Sequence, residues 1–210
     1  MAMIDVSWTL FIVASLLLIA TPGQDMILVM SRSIAQGAGA GIATAAGVSI
    51  GLVGHTVLAT LGLGALLRAS EWLFVALKLV GAAYLLFLGV QLLCTRVRQL
   101  SLASAGVRSL KRLFLDGALS NLSNPKIAIF YFAFLPQFVA PDAAHPTLAI
   151  FVLGLSFALL TFVVKGPVGL FAGLLSNFLR ARPAALTWLY RSSGAVLIAL
   201  GVRLAFERKS

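Results

Sequence analysis

Charge is what this sequence has least of. Only 10% of its 210 residues are Asp, Glu, Lys or Arg, and the acids number 6. A water-soluble domain of this length cannot cover itself with so few polar groups, so composition and a mean hydropathy of +1.04 place the chain in a bilayer. A single cysteine, Cys94, excludes a disulfide framework or a cysteine-based metal site. Two histidines, His55 and His145, leave little for metal chemistry, and neither metal nor other cofactor is expected. No Ser/His/Asp set and no carboxylate pair appears. The run "GAGAG" (Gly37–Gly41) has neither the preceding strand nor the full spacing of a nucleotide loop, so an enzyme is not expected.

Apolar runs are what is there. A span needs about 17–25 predominantly apolar residues. Six stretches qualify: Ser7–Met30, Gly41–Leu67, Trp72–Leu93, Phe114–Val139, Thr147–Leu175 and Leu186–Ala205. The fifth is expected to be interrupted at Lys165-Gly166-Pro167. Before the first run stand Asp5 and no Lys or Arg, so that run lacks a signal-peptide n-region and reads as a retained span. The net charge of +10 does not signal nucleic acid here, because the basic residues cluster in short loops. Loops after spans one, three and five hold Arg32, then Arg96, Arg98, Arg108, Lys111 and Arg112, then Arg180 and Arg182. The opposite side holds Arg68, Arg208 and Lys209. Eight against three predicts cytoplasmic odd-numbered loops and both termini outside.

The chain reads as duplicated. In spans three and six, Lys78 and Gly81-Ala82 match Arg191 and Gly194-Ala195, while Gly89-Val90-Gln91-Leu92 matches Gly201-Val202-Arg203-Leu204. Spans one and four each carry a mid-span Pro behind a capping residue, Thr21-Pro22 and Asn124-Pro125. Halves of three spans must have opposite orientations. The expected fold is therefore an all-α polytopic membrane protein of six helices in two inverted three-helix repeats, with helices one and four discontinuous. The parts are residues 1–98, a basic cytoplasmic loop at 99–112, and residues 113–210, within one membrane domain.

Pro at the first helical position, behind a side-chain acceptor, starts a helix. Thr21-Pro22-Gly23-Gln24 has capping-box spacing, with Thr21 at the N-cap and Gln24 three residues on. Asn124-Pro125 is the same device with an Asn cap. In an inverted pair, two such starts approach each other near the midplane. Their free N–H groups and dipole ends make an anion site suited to a carboxylate.

At this point the residues resemble a family. "TPGQD" (Thr21–Asp25), "LKLVGAAYLLFLG" (Leu77–Gly89) and "NPKIAIFYFAFLPQF" (Asn124–Phe138) are similar to the first-, third- and fourth-span signatures of the lysine and homoserine/threonine exporter (LysE/RhtB) family. The resemblance implies a bacterial inner-membrane exporter of amino acids or close derivatives, driven by the proton gradient. Two departures bear on its substrate. Gln24 stands where the family usually has a second Pro, and Lys165 where an uncharged or aromatic residue is expected.

Ionisable residues inside spans are functional by default. Asp25, in the first turn of an inner half-helix, reads as proton carrier or as partner of a substrate ammonium; an internal ion pair with Lys126 or Lys165 is the structural alternative. Lys126 reads as carboxylate-binding, or as snorkelling or paired with Asp25. Lys165 is similar. The expected substrate-binding set is Thr21, Gly23, Gln24, Asn121, Asn124, Lys126 and Lys165. The sequence leaves open whether Lys78, Arg191 and His55 are functional. The stripe Gly39, Ala43, Gly47, Gly51, His55 reads as a packing face, and Asn121-Leu122-Ser123 as too deep to serve as a glycosylation sequon. A passive channel for small zwitterions and an intramembrane lipid-acting enzyme are the alternatives to a transporter. The expected partners are an amino acid, protons and the bilayer, with homo-oligomerisation left open.

Overall fold

A computed structural model describes residues 6–21, 23–69, 71–95, 108–140, 143–172, 174 and 182–206. Apart from one isolated β-bridge, the regular structure of these residues is helical. In chain order it consists of α1 (Trp8–Ala20), α2 (Gln24–Gln36), α3 (Ala38–Ala69), α4 (Glu71–Cys94) and α5 (Leu110–Leu122). There follow α6 (Pro125–Phe134), continued by a 3₁₀ turn η1 (Leu135–Phe138), then α7 (Pro146–Leu170) and α8 (Pro183–Phe206).

Three helical stretches are long and apolar enough to cross a membrane: Ala38–Gly62, Pro146–Leu170 and Thr187–Phe206. The pair α1–α2, bent by 52° at its break, makes a fourth if it is one span. Leu79–Cys94 and Ile127–Phe138 are shorter apolar helices. The protein is membrane-embedded, and leucines such as Leu119 (59% exposed) and Leu159 (64%) face outward where lipid lies.

As expected, α1 ends beside Thr21 and α6 starts directly behind Asn124. The expected break at Lys165-Gly166-Pro167 does not occur. The helix α7 runs through Pro167 to Leu170, so Pro removes one ladder bond without ending the helix. Arg32, expected in a loop, lies within α2; the turn behind it is made by Gly37, whose φ of 92° suits glycine. The loop expected at 99–112 is shortened at its end, because Ser109 caps α5 through the Arg112 N–H.

Small residues set the packing. A Cβ on Gly47 would lie 2.0 Å from the Phe114 carbonyl oxygen, and one on Gly51 2.8 Å from that of Ala118. The stripe ending at His55 therefore faces α5, with the two helices parallel. The same closeness joins α3 to α7, where Gly41 opposes Gly169 and Thr56 opposes Gly154. It also joins α4 to α8, where Gly89 opposes Gly194 and Ala82 opposes Gly201. Both of these pairs are antiparallel. The α1–α2 pair also runs against α5 and α6. Val6 bridges Val139 at one end, and Arg32 reaches Asp116 at the other. Between these packed faces lies an aromatic core in which Phe130 stacks on Phe134 at 4.6 Å and Tyr131 meets Phe157 edge-on at 5.7 Å.

Candidate functional site

A cavity of about 310 Å³ opens where the two helix breaks meet. Thr21, Gly23, Gln24 and Asp25 border it from the first break, Asn124 from the second, and Lys165 from α7. The remaining wall is mostly apolar. A volume of this size is at the low end for small-molecule sites.

Local sequence explains each position. Gly23, in an extended conformation, is the N-cap of α2, so Asp25 falls in that helix's first turn, at the positive end of its dipole. Asn124 precedes α6, and its carbonyl accepts from the Ile127 and Ala128 N–H groups, as expected of a residue before a Pro-led start. Thr21 does not cap α2. Its hydroxyl donates back to the Leu17 carbonyl at the end of α1, at 2.8 Å, and lies 2.6 Å from the Ser193 hydroxyl of α8. Gln24 is the first residue of α2 rather than its third, so the capping box does not form.

Asp25 is the centre of the polar cluster. Its Oδ2 accepts from Lys165 Nζ at 3.2 Å and from Asn121 Nδ2 at 3.0 Å. The Asp25 and Lys165 side chains are 12% and 9% exposed, so the pair is held away from bulk water. Of the two lysines considered as its partner, the structure brings Lys165 to Asp25. The Lys126 side chain, like that of Lys78, lies outside the described residues.

Asn121 is fully buried and joins three elements. Its amide reaches Asp25 on α2, and its carbonyl lies 3.0 Å from His55 Nε2 on α3 and accepts the Asn124 N–H at 3.0 Å. A carbonyl only accepts, so Nε2 is the protonated ring nitrogen. His55 Nδ1 and Asn121 Oδ1 are buried without partners among the described residues. His55 is thus less fully satisfied than a packing residue would be. Arg191 is exposed on α8. Tyr84, Tyr131 and Thr161 also line the cavity. Sequence reasoning missed them, because an aromatic or threonine on an apolar helix carries no signal that separates cavity wall from core.

A second polar cluster lies farther along α2. Asp116 on α5 takes Arg108 at very short range, Arg112 at 3.2 Å and Arg32 at 3.8 Å, while the Gln36 side chain holds both backbone groups of Arg108.

Comparison with known proteins gives a consistent result. A family described as "LysE type translocator" matches residues 16–208. A homoserine/homoserine lactone efflux protein of Salmonella typhimurium is 33% identical, over 96% of this chain and 97% of its own. An uncharacterised membrane protein of Pseudomonas aeruginosa is 32% identical over 94% of both chains. A leucine efflux protein of Klebsiella pneumoniae is 29% identical over 93% of this chain and 92% of its own. No solved structure matches the chain.

Proposed function

Because the chain belongs to the family of LysE-type translocators, we propose that it is a secondary transporter, not an enzyme, that exports amino acids or close derivatives across the bacterial inner membrane by proton antiport. Efflux is the activity carried in the names of its homoserine and leucine relatives. The observation that carries the mechanism is the Asp25 carboxylate at a helix break, beside a small cavity, held by Lys165 and Asn121.

One carboxylate with two positively charged claimants makes an exchanger. Ionised Asp25 accepts a substrate ammonium from the inner side. A proton arriving from the outer side neutralises it, and the ammonium loses its counter-charge and leaves. Proton and substrate exclude each other at one group, so their movements are opposed. The substrate carboxylate is received by Lys165, by the backbone N–H groups of the two helix starts and by Lys126, with Thr21, Gly23, Gln24, Asn121 and Asn124 shaping the polar end.

The scaffold of this reading is six spans in two inverted halves, residues 1–98 and 113–210. The antiparallel pairing of α3 with α7, of α4 with α8, and of the first span with the fourth supports it.

Asp25→Asn tests the mechanism in proteoliposomes. It keeps size and removes the titration, so pH-driven uphill transport fails while counterflow of substrate against substrate continues. Undiminished pH-driven accumulation by this variant would exclude Asp25 as the coupling group.

A further inference from the structure

The charge on the cavity wall defines which amino acids the site can take. Among the described lining residues, Asp25 and Lys165 are the charged ones, and they already neutralise each other at 3.2 Å. A zwitterion can enter this pair without changing its balance. Its ammonium takes Asp25, its carboxylate takes Lys165, and the sum stays zero. The rest of the wall then receives the side chain. Apolar groups come from each of six helices, among them Leu18 (α1), Leu52 (α3), Leu88 (α4), Ile127 (α6), Phe157 (α7) and Leu197 (α8). The Thr161 hydroxyl, also in the wall, is committed to the Phe157 carbonyl at 2.8 Å.

A side-chain cation would meet a wall whose other described groups, Gln24, Asn124, Tyr84 and Tyr131 included, are neutral and offer no counter-charge, with the Lys165 ammonium as a like charge in the same cavity. A buried charge left without a partner costs more than any contact its methylenes make.

We infer that Lys165 is a specificity-determining residue that makes this a site for amino acids with uncharged, apolar side chains and closes it to lysine, ornithine and arginine. The inference rests on the export reading above and narrows it.

The test compares norleucine with lysine, which share a four-carbon side-chain stem and differ in the ammonium that lysine adds at its end. Purified wild-type protein in proteoliposomes is loaded with labelled leucine, and counterflow is competed with each compound. Norleucine is expected to compete about 100-fold more strongly, the scale set by leaving a charged group unpaired. Lys165→Gln removes one positive charge from the wall and frees Asp25 of its partner, so a side-chain cation loses a like charge and gains an acceptor. The norleucine-to-lysine ratio should fall by about tenfold, the change that one such compensated charge brings. Equal competition by lysine and norleucine in the wild type overturns the inference, and this arm needs no variant to fold. An unchanged ratio in a folded Lys165→Gln protein removes Lys165 as the determinant. The two failures are separable from a failure of the export reading. In that case labelled leucine, norleucine and lysine would all fail to exchange, whereas active exchange of lysine defeats the specificity inference alone.

Discussion

At the scale of single residues, the proposed exchange and much of the local stability rest on one buried ion pair, Asp25–Lys165. Both side chains are largely buried, and each removes the other's desolvation problem. Lys165→Met strands the carboxylate with Asn121 as its one remaining described donor, and removal of one member of a buried pair costs about 3–5 kcal/mol. Adding Asp25→Asn removes the stranded charge. The double variant is therefore expected to recover most of the thermal stability in detergent that the single variant loses. A double variant no more stable than Lys165→Met would mean that the two residues do not act on each other. Sequence alone named Asp25 and both of its contacts, Lys165 and Asn121, because charge and amide groups are costly in a span. It could not choose between Lys165 and Lys126 as partner, since both lie within two residues of a proline; the packing of α7 against α2 is what brings Lys165 to Asp25. Thr21 misled for a local reason. A threonine before Pro can cap the next helix or close the previous one, and here its hydroxyl takes the Leu17 carbonyl of α1.

At the scale of elements, the helices stay together through backbone closeness rather than through a driving force between apolar surfaces, which lipid does not supply. This gives neighbouring glycines different tolerances. A Cβ on Gly47 would meet the Phe114 carbonyl oxygen at 2.0 Å and the Ala118 backbone nitrogen at 3.0 Å, neither of which can rotate away. A Cβ on Gly39, two turns earlier on the same face, has only a Leu110 methyl at 3.9 Å. Gly47→Ala should therefore lower stability by about 1–3 kcal/mol, as overpacking does, while Gly39→Ala is neutral or slightly stabilising. Thermal unfolding of the two purified variants checks this, and equal shifts would refute the assigned α3–α5 contact. The small-residue stripe was legible because it repeats every fourth residue. The continuity of α7 through Pro167 was not, since a proline kinks, ends or sits inside a helix according to the neighbours that hold it.

At the scale of the whole molecule, direction is the property that decides the architecture. The sequence alignment sets Gly81 against Gly194 and Gly89 against Gly201, yet the contacts cross, with Gly89 on Gly194 and Gly201 on Ala82. A twofold axis between α4 and α8 requires such a crossing, because it exchanges the partners of each contact. Such an axis would not relate every contact, for α4 packs on α6 whereas α8 packs on α1. Sidedness has its own marks. Arg32, Arg108 and Arg112 converge on Asp116 at one end of the packed α1–α2 and α5–α6 pairs, and Val6 meets Val139 at the other. The gathered arginines all belong to the group of eight that charge counting assigns to the cytoplasm. An inverted duplication with an odd number of spans per half must then place the connection between halves and the C-terminal end on opposite sides. Reporters inserted within residues 99–107 should give cytoplasmic signals, and reporters fused behind Ser210 periplasmic ones. Both reporters on the same side would remove the inversion, and with it the symmetry argument for two half-helix starts meeting at one site.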